Sequence, residues 1–285
     1  MRLSERNRCR TLTVCLCLVM AMFLLAGRAG SDTTLLGWDV AGEDLWSIDT
    51  AVPIRSIFVG GGNSGFASEI EFRNGVVYGT DTGDNTNFSM IDPSTGIVFN
   101  TITLTFPPEG NVLTSLEFVG DTLYAGLTIE GSQGTEPTYL STVDLGTGVV
   151  TVVGAAGITS PFGGLAYDRS GAMMYAISAG GSTATLYTID LITGAATAVA
   201  SVLVGGLPFK ATALEFGGDG VLYTAPSFND PLFGHLLTID SMTGAAIDLG
   251  LTGLVQGPVA LTFAGVIFED GFESGDTSVW SEVVP

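Results

Sequence analysis

Three glutamates, Glu71, Glu117 and Glu215, occupy the same place in a recurring phrase: "IEFRNGVVYGT", "LEFVGDTLYAG" and "LEFGGDGVLYTA". Two further copies, "LAYDRSGAMMYAI" and "LTFAGVIFED", carry Ala166 and Thr262 there. If the copies converge on one axis, the carboxylates meet. Converging carboxylates can hold a hard cation such as Ca²⁺ or act as the acid and nucleophile pair of a glycosidase. They can also simply accept backbone N–H groups along a wall. The "TDTGDNTN" stretch offers a second oxygen-rich group, Asp81, Asp84, Asn85 and Asn87. It lacks the spacing and the twelfth-position Glu of an EF-hand, so as a Ca²⁺ site it is a weak candidate beside a polar hairpin loop.

Other chemistry is poorly supplied. His235 is the one histidine, and Cys9, Cys15 and Cys17 all lie in the first thirty residues. Transition-metal sites built on His and Cys therefore lack donors, and no nucleophile motif accompanies His235. "FVGGGNSGF" around Gly60 is glycine-rich but opens no helix, as a phosphate loop would. Phe162, Phe209, Phe228, Phe233 and Trp46 fall near connecting loops. They can stack on sugars or pack on a partner, but most are expected to fill the space between blades.

The elements that must position these residues are repeats. A second phrase interleaves with the first: "FSMIDPSTGIVFNTI", "LSTVDLGTGVVTVVG", "LYTIDLITGAATAVA" and "LLTIDSMTGAAIDLG", with a degenerate "LWSIDTAV". Its aspartates, Asp49, Asp92, Asp144, Asp190 and Asp240, are 43, 52, 46 and 50 residues apart. Each period reads as four short strands rich in Leu, Ile, Val, Tyr and Phe, punctuated by Gly, Asn and Asp. In the fourth copy these are "ATALEF", "VLYTA", "HLLTID" and "AAIDLG". Four antiparallel strands every 40 to 50 residues predict one β-propeller blade per repeat. Four complete copies are present. The N-terminal stretch 33–60 supplies later strands and "VALTFAG" supplies a first strand, so the chain ends complete a fifth blade. Six blades is the alternative, if 60–68 or the C-terminus hides another sheet. The "ID…TG" phrase is structural: the apolar residue packs between sheets, Asp caps the turn and Gly supplies positive φ.

The ends of the chain have their own logic. Arg2, Arg6, Arg8 and Arg10 precede an apolar run from Leu12 to Leu25 and the small residues "AGRAG". This pattern predicts a secretory signal peptide over 1–29, cut after Ala29. The run is shorter than the roughly 20 residues of a spanning helix. The propeller domain is then 30–268, and 269–285 is an acidic tail. Leader removal leaves Arg55, Arg73, Arg169 and Lys210 against 28 acids, a net charge near −24. Such a surface repels nucleic acid and anionic lipid. It also keeps a chain of mean hydropathy +0.46 in solution.

"GGLAYDRSGAMMYAIS" followed by "LYTIDLITGAATAVA" resembles the YncE-like and NHL-like propeller repeats of secreted bacterial proteins. That resemblance implies the fold and leaves function open, because such propellers bind, scaffold and catalyse. The tail "FEDGFESGDTSVWSEVVP" resembles a short "DGFESGDTSAWS" segment at the extreme C-terminus of exported bacterial proteins, which implies a sorting role. The whole predicts a secreted monomer, extracellular, periplasmic or on the cell surface, without a resident cofactor unless Ca²⁺ is held. It reads as a module that binds a protein or glycan. A glycan-acting hydrolase using Glu71, Glu117 and Glu215, or a purely structural exported protein, are the alternatives.

Overall fold

In a computed structural model of the chain, the described residues are 34–39, 44–61, 67–81, 86–130, 136–179, 181–254 and 257–264. The predicted leader (1–29) and tail (269–285) lie outside them, as do Asp84 and Asn85. Among the described residues there is no α-helix, and the strands form a five-bladed β-propeller of four-stranded antiparallel sheets.

Blade I comprises β4 (Ala67–Arg73), β5 (Val76–Asp81), β6 (Asn87–Ile91) and β7 (Val98–Thr103). Blade II comprises β8 (Val112–Val119), β9 (Thr122–Thr128), β10 (Tyr139–Val143) and β11 (Val150–Ala155). Blade III comprises β12 (Phe162–Asp168), β13 (Met173–Ser178), β14 (Thr185–Ile189) and β15 (Ala196–Ser201). Blade IV comprises β18 (Ala211–Phe216), β19 (Leu222–Pro226), β20 (His235–Ile239) and β21 (Ala245–Leu251). Blade V is composite. The C-terminal β22 (Pro258–Phe263) pairs with β1 (Thr34–Asp39), which continues into β2 (Asp44–Asp49) and β3 (Ile57–Gly61). The two ends of the chain thus share one sheet, and the ring closes with five blades and not six.

Closure is also visible in the cores. There are five buried apolar clusters, and each is shared by two neighbouring blades. Trp38, Leu45 and Ala260 of blade V meet Ile70, Val77 and Ile91 of blade I. Leu35, Ile48 and Leu261 of the same blade V meet Ala213, Ala225 and Leu236 of blade IV. Full burial of one such side chain contributes about 1.5–3 kcal/mol, so these inter-blade layers hold the ring together.

The "ID…TG" phrase does two jobs. Ile48, Ile91, Val143, Ile189 and Ile239 are all buried. The following aspartates cap the turn between the third and fourth strands. Asp190 Oδ1 accepts the N–H groups of Ile192 and Thr193 at 2.8 and 3.0 Å. Asp49, Asp92, Asp144 and Asp240 cap in the same way. The second job crosses blades. Gly194 has φ +74° and sits against blade II, where an added Cβ would lie 2.6 Å from the Gly154 carbonyl oxygen. Each Thr-Gly turn is docked on the preceding blade's outer strand, and only glycine satisfies both conditions.

A two-stranded addition, β16 (Leu203–Val204) and β17 (Leu207–Pro208), lies in the connection from blade III to blade IV. Its β16 runs parallel to the outer β21, pairing Leu203 with Ala245. The sequence reading did not anticipate it. Two-residue strands carry no periodicity.

Candidate functional site

The innermost strand of each blade carries the positions of interest. These strands begin with an irregularity in pairing: between Ala67 and Ile70, Leu113 and Ser115, Phe162 and Gly164, and Ala211 and Ala213. A bulge re-aims the residues that follow it. After it, Glu71, Glu117, Ala166, Glu215 and Thr262 take equivalent register positions, opposite Tyr78, Tyr124, Tyr175, Tyr223 and Leu36.

The structure brings Glu71, Glu117 and Glu215 together. One oxygen from each lies within 4.8 Å of the others. All are buried, at 5, 5 and 7 % exposure, and Thr262 is at 1 %. Their hydrogen bonds run around the ring. Glu71 accepts the backbone N–H of Phe118, Glu117 that of Tyr167 and Glu215 that of Phe263. The Thr262 hydroxyl accepts the Phe72 N–H at 2.7 Å and donates to Glu71 Oε2 at 3.2 Å. So each polar residue reaches the position after its counterpart in the next blade.

Blade III breaks the ring. Ala166 has no acceptor to offer and is a fully buried member of the core between blades III and IV. A Cβ on Gly164 would lie 2.2 Å from the Leu214 nitrogen, so the first strands of blades III and IV approach backbone to backbone.

These carboxyls are poorly matched to their surroundings. Burial pushes Glu71 up to about 8, against the Thr262 hydroxyl, the Phe118 N–H and the charges of Arg169 and Arg73. Glu117 is raised by burial and then by the Glu71 charge. The Tyr167 N–H and Arg169 oppose that rise. Glu215 is raised by burial and by both other glutamates, opposed by the Phe263 N–H and Arg169. Glu117 Oε2 and Glu215 Oε2 are buried with no hydrogen-bond partner. Leaving such an atom unsatisfied costs roughly 1–3 kcal/mol, more when it is charged.

Glu69 is a fourth member that the sequence reading missed. It is buried, and burial followed by the Glu71 charge raises its pKa. The signal was present in "SEIEF": residues two apart in a strand share a face.

The other candidates scatter. Asp81 ends β5 and Asn87 begins β6, while Asp84 and Asn85 lie outside the described residues, so that loop is placed only in part. His235 Nδ1 is 2.9 Å from Asp248 Oδ1 on the neighbouring outer strand, a cross-strand pair away from the axis. Gly60 belongs to no phosphate loop. Its Cα faces the Thr95–Gly96 turn of blade I, with no room for a Cβ. Among the aromatics, Phe162 and Phe209 are core residues, at 0 and 2 % exposure. Trp46 stands edge-on to Phe58 at 5.6 Å within blade V. Phe228 is different: it is 63 % exposed and meets Phe233 edge-on at 5.3 Å.

Phe228 sits between β19 and β20 in a loop with little freedom. Asp230 organises it, with Oδ2 accepting the Lys210 N–H at 2.8 Å and Oδ1 that of Leu232 at 2.9 Å. Backbone bonds from Ser227 to Lys210, Asp230 to Ser227 and Phe233 to Asp230 complete it.

No family model matches this chain, and no curated protein matches it. Among solved structures it is similar to a chain of a nidogen/laminin complex, with 12% identity and a TM-score of 0.50. That match covers 81% of this chain and 98% of the other. A Myxococcus xanthus glutaminyl cyclase aligns at 17% identity and a TM-score of 0.46, over 70% of this chain and 71% of that one. A protein of unknown function from Bacteroides caccae aligns at 11% identity and a TM-score of 0.41, over 73% and 68%. At these identities the likeness is one of fold.

Proposed function

We propose that the chain is an exported β-propeller that serves as a protein-binding module, with a leader over 1–29 removed after Ala29 and a sorting tail over 269–285. The observation that carries the binding reading is Phe228, a large apolar side chain held 63 % exposed on a loop fixed by Asp230. An ordered aromatic of this kind loses little conformational entropy on binding, and aromatics are enriched at the centres of protein interfaces. The acidic surface favours a partner with basic groups around the apolar contact. Among the described residues no helix is long and apolar enough to cross a membrane.

A hydrolase using the axial glutamates is the weaker reading. A glycosidase needs one carboxylate ionised beside one protonated acid, with a sugar between them. Glu71, Glu117 and Glu215 are all shifted toward the protonated form and are almost fully buried.

Two measurements test the proposal. N-terminal sequencing of the protein from culture medium or envelope should begin at Gly30, and an intact Met1 end on cell-retained protein contradicts export. Immobilised mature chain should retain an envelope or secreted protein that Phe228→Ala fails to retain. Equal retention by both forms, or binding to a glycan array alone, contradicts the protein-binding reading.

A further inference from the structure

Independently of any partner, the geometry points to a divalent-cation site on the propeller axis, in which Glu71, Glu117 and Glu215 each give one oxygen to a hard ion of the Ca²⁺ type. Oxygens on one Ca²⁺ lie about 2.3–2.6 Å from it, so two of them are at most about 5 Å apart. The three glutamate oxygens meet that limit, lying within 4.8 Å of one another. They come from three blades, brought to one place by equivalent positions of three first strands.

The unsatisfied atoms point the same way. One oxygen of each glutamate is already occupied in holding the next blade's N–H. Those bonds would satisfy a purely structural role. Yet Glu117 Oε2 and Glu215 Oε2 remain buried without a hydrogen-bond partner, on residues whose carboxylates lie within reach of one ion. The Thr262 hydroxyl, 3.2 Å from Glu71 Oε2, provides a fourth oxygen at the same level. Ca²⁺ takes about six to eight oxygens, so water in the channel would complete the shell.

Charge compensation is also incomplete. The charged groups acting on the cluster are Arg73, Arg169 and the neighbouring Glu69. Arg73 is partly committed elsewhere, to Asp121 at 2.7 Å and to the face of Phe118. A +2 ion at the centre compensates the carboxylates where the two arginines do not. The donor set is all oxygen, which selects calcium-like ions over zinc or copper.

The test uses the mature chain, stripped of metal with a chelator and dialysed, then titrated with CaCl₂ at pH 7.5 in 150 mM NaCl. The proposal expects one retained ion per chain, counted by elemental analysis after desalting, and a melting temperature raised by several degrees. Glu117→Gln and Glu215→Gln should each lose the retained ion and the thermal shift. Absence of a stoichiometric ion overturns the proposal, as does a thermal shift in both variants as large as that of the wild type. If either variant fails to fold, wild-type crystals soaked in Tb³⁺ decide: an anomalous peak between Glu71, Glu117 and Glu215 supports the site, and peaks confined to the acidic surface overturn it.

Discussion

Thr262 donates its hydroxyl to Glu71 Oε2 across 3.2 Å while accepting the Phe72 N–H at 2.7 Å. This couple joins the innermost strand of blade V, the blade that both chain ends build, to the innermost strand of blade I. The composite blade therefore contributes to the axial carboxyl cluster.

Thr262→Val keeps the shape of the side chain and removes both bonds. A buried N–H or carboxyl left without its partner costs about 1–3 kcal/mol, so a loss of roughly 2–3 kcal/mol is expected in urea unfolding. Thr262→Ser should stay within about 1 kcal/mol of wild type. Equal losses for Ser and Val would assign the effect to packing of the methyl group instead.

Glycine at the Thr-Gly turn should show its double duty by comparison. Gly205, in the β16–β17 turn, has φ +57° and open space around its Cα, whereas Gly194 has φ +74° and abuts Gly154. Gly205→Ala should cost only the backbone term, roughly 1–2 kcal/mol. Gly194→Ala should cost about 2–5 kcal/mol, because overpacking adds roughly 1–3 kcal/mol to that backbone term. The difference in unfolding midpoints between the two variants is the quantity to compare.

Stability of the metal-free chain should fall as pH rises from about 4.5 towards about 8. The folded-state pKa of Glu71 is raised from 4.5 to about 8, and Glu69, Glu117 and Glu215 are raised as well. Through that window the folded chain binds more protons than the unfolded one, so stability from these groups is fully present below 4.5 and is lost above it. The turn aspartates act in the opposite sense. Asp92, Asp144, Asp190 and Asp240 are lowered from 3.8 by their turn hydrogen bonds, so their contribution is lost as pH falls through those lowered values. Thermal melting of metal-free protein should therefore be optimal between about pH 3.8 and pH 4.5. Saturating Ca²⁺ should flatten the alkaline decline, and Glu117→Gln with Glu215→Gln should weaken it even without metal.

The blade count, the strand segments and the composite fifth blade were legible in the sequence because each rests on local signals. An Ile-Asp step marks a third strand, and an Asp-to-Gly turn marks its hairpin, wherever they fall. The position of Glu71, Glu117 and Glu215 followed from counting within the repeat. What was not legible depends on approach between blades. First strands III and IV come backbone to backbone at Gly164, beside the position where Ala166 breaks the glutamate series, and no local pattern announces that approach. Phe162 and Phe209 fill the space between blades, as expected of most of the loop aromatics, but which of the five would stay exposed depends on the neighbouring blade that covers each of them. The order of the 227–234 loop depends on Asp230 reaching the Lys210 N–H, twenty residues back along the chain.

The cation site is tested most directly by anomalous diffraction from crystals of the mature chain soaked in Tb³⁺ at a wavelength where that ion scatters anomalously. The account predicts one strong peak on the axis, within about 2.3–2.6 Å of an oxygen from each of Glu71, Glu117 and Glu215. Peaks confined to the acidic surface or to the loop between β5 and β6, with none at the axis, would contradict it.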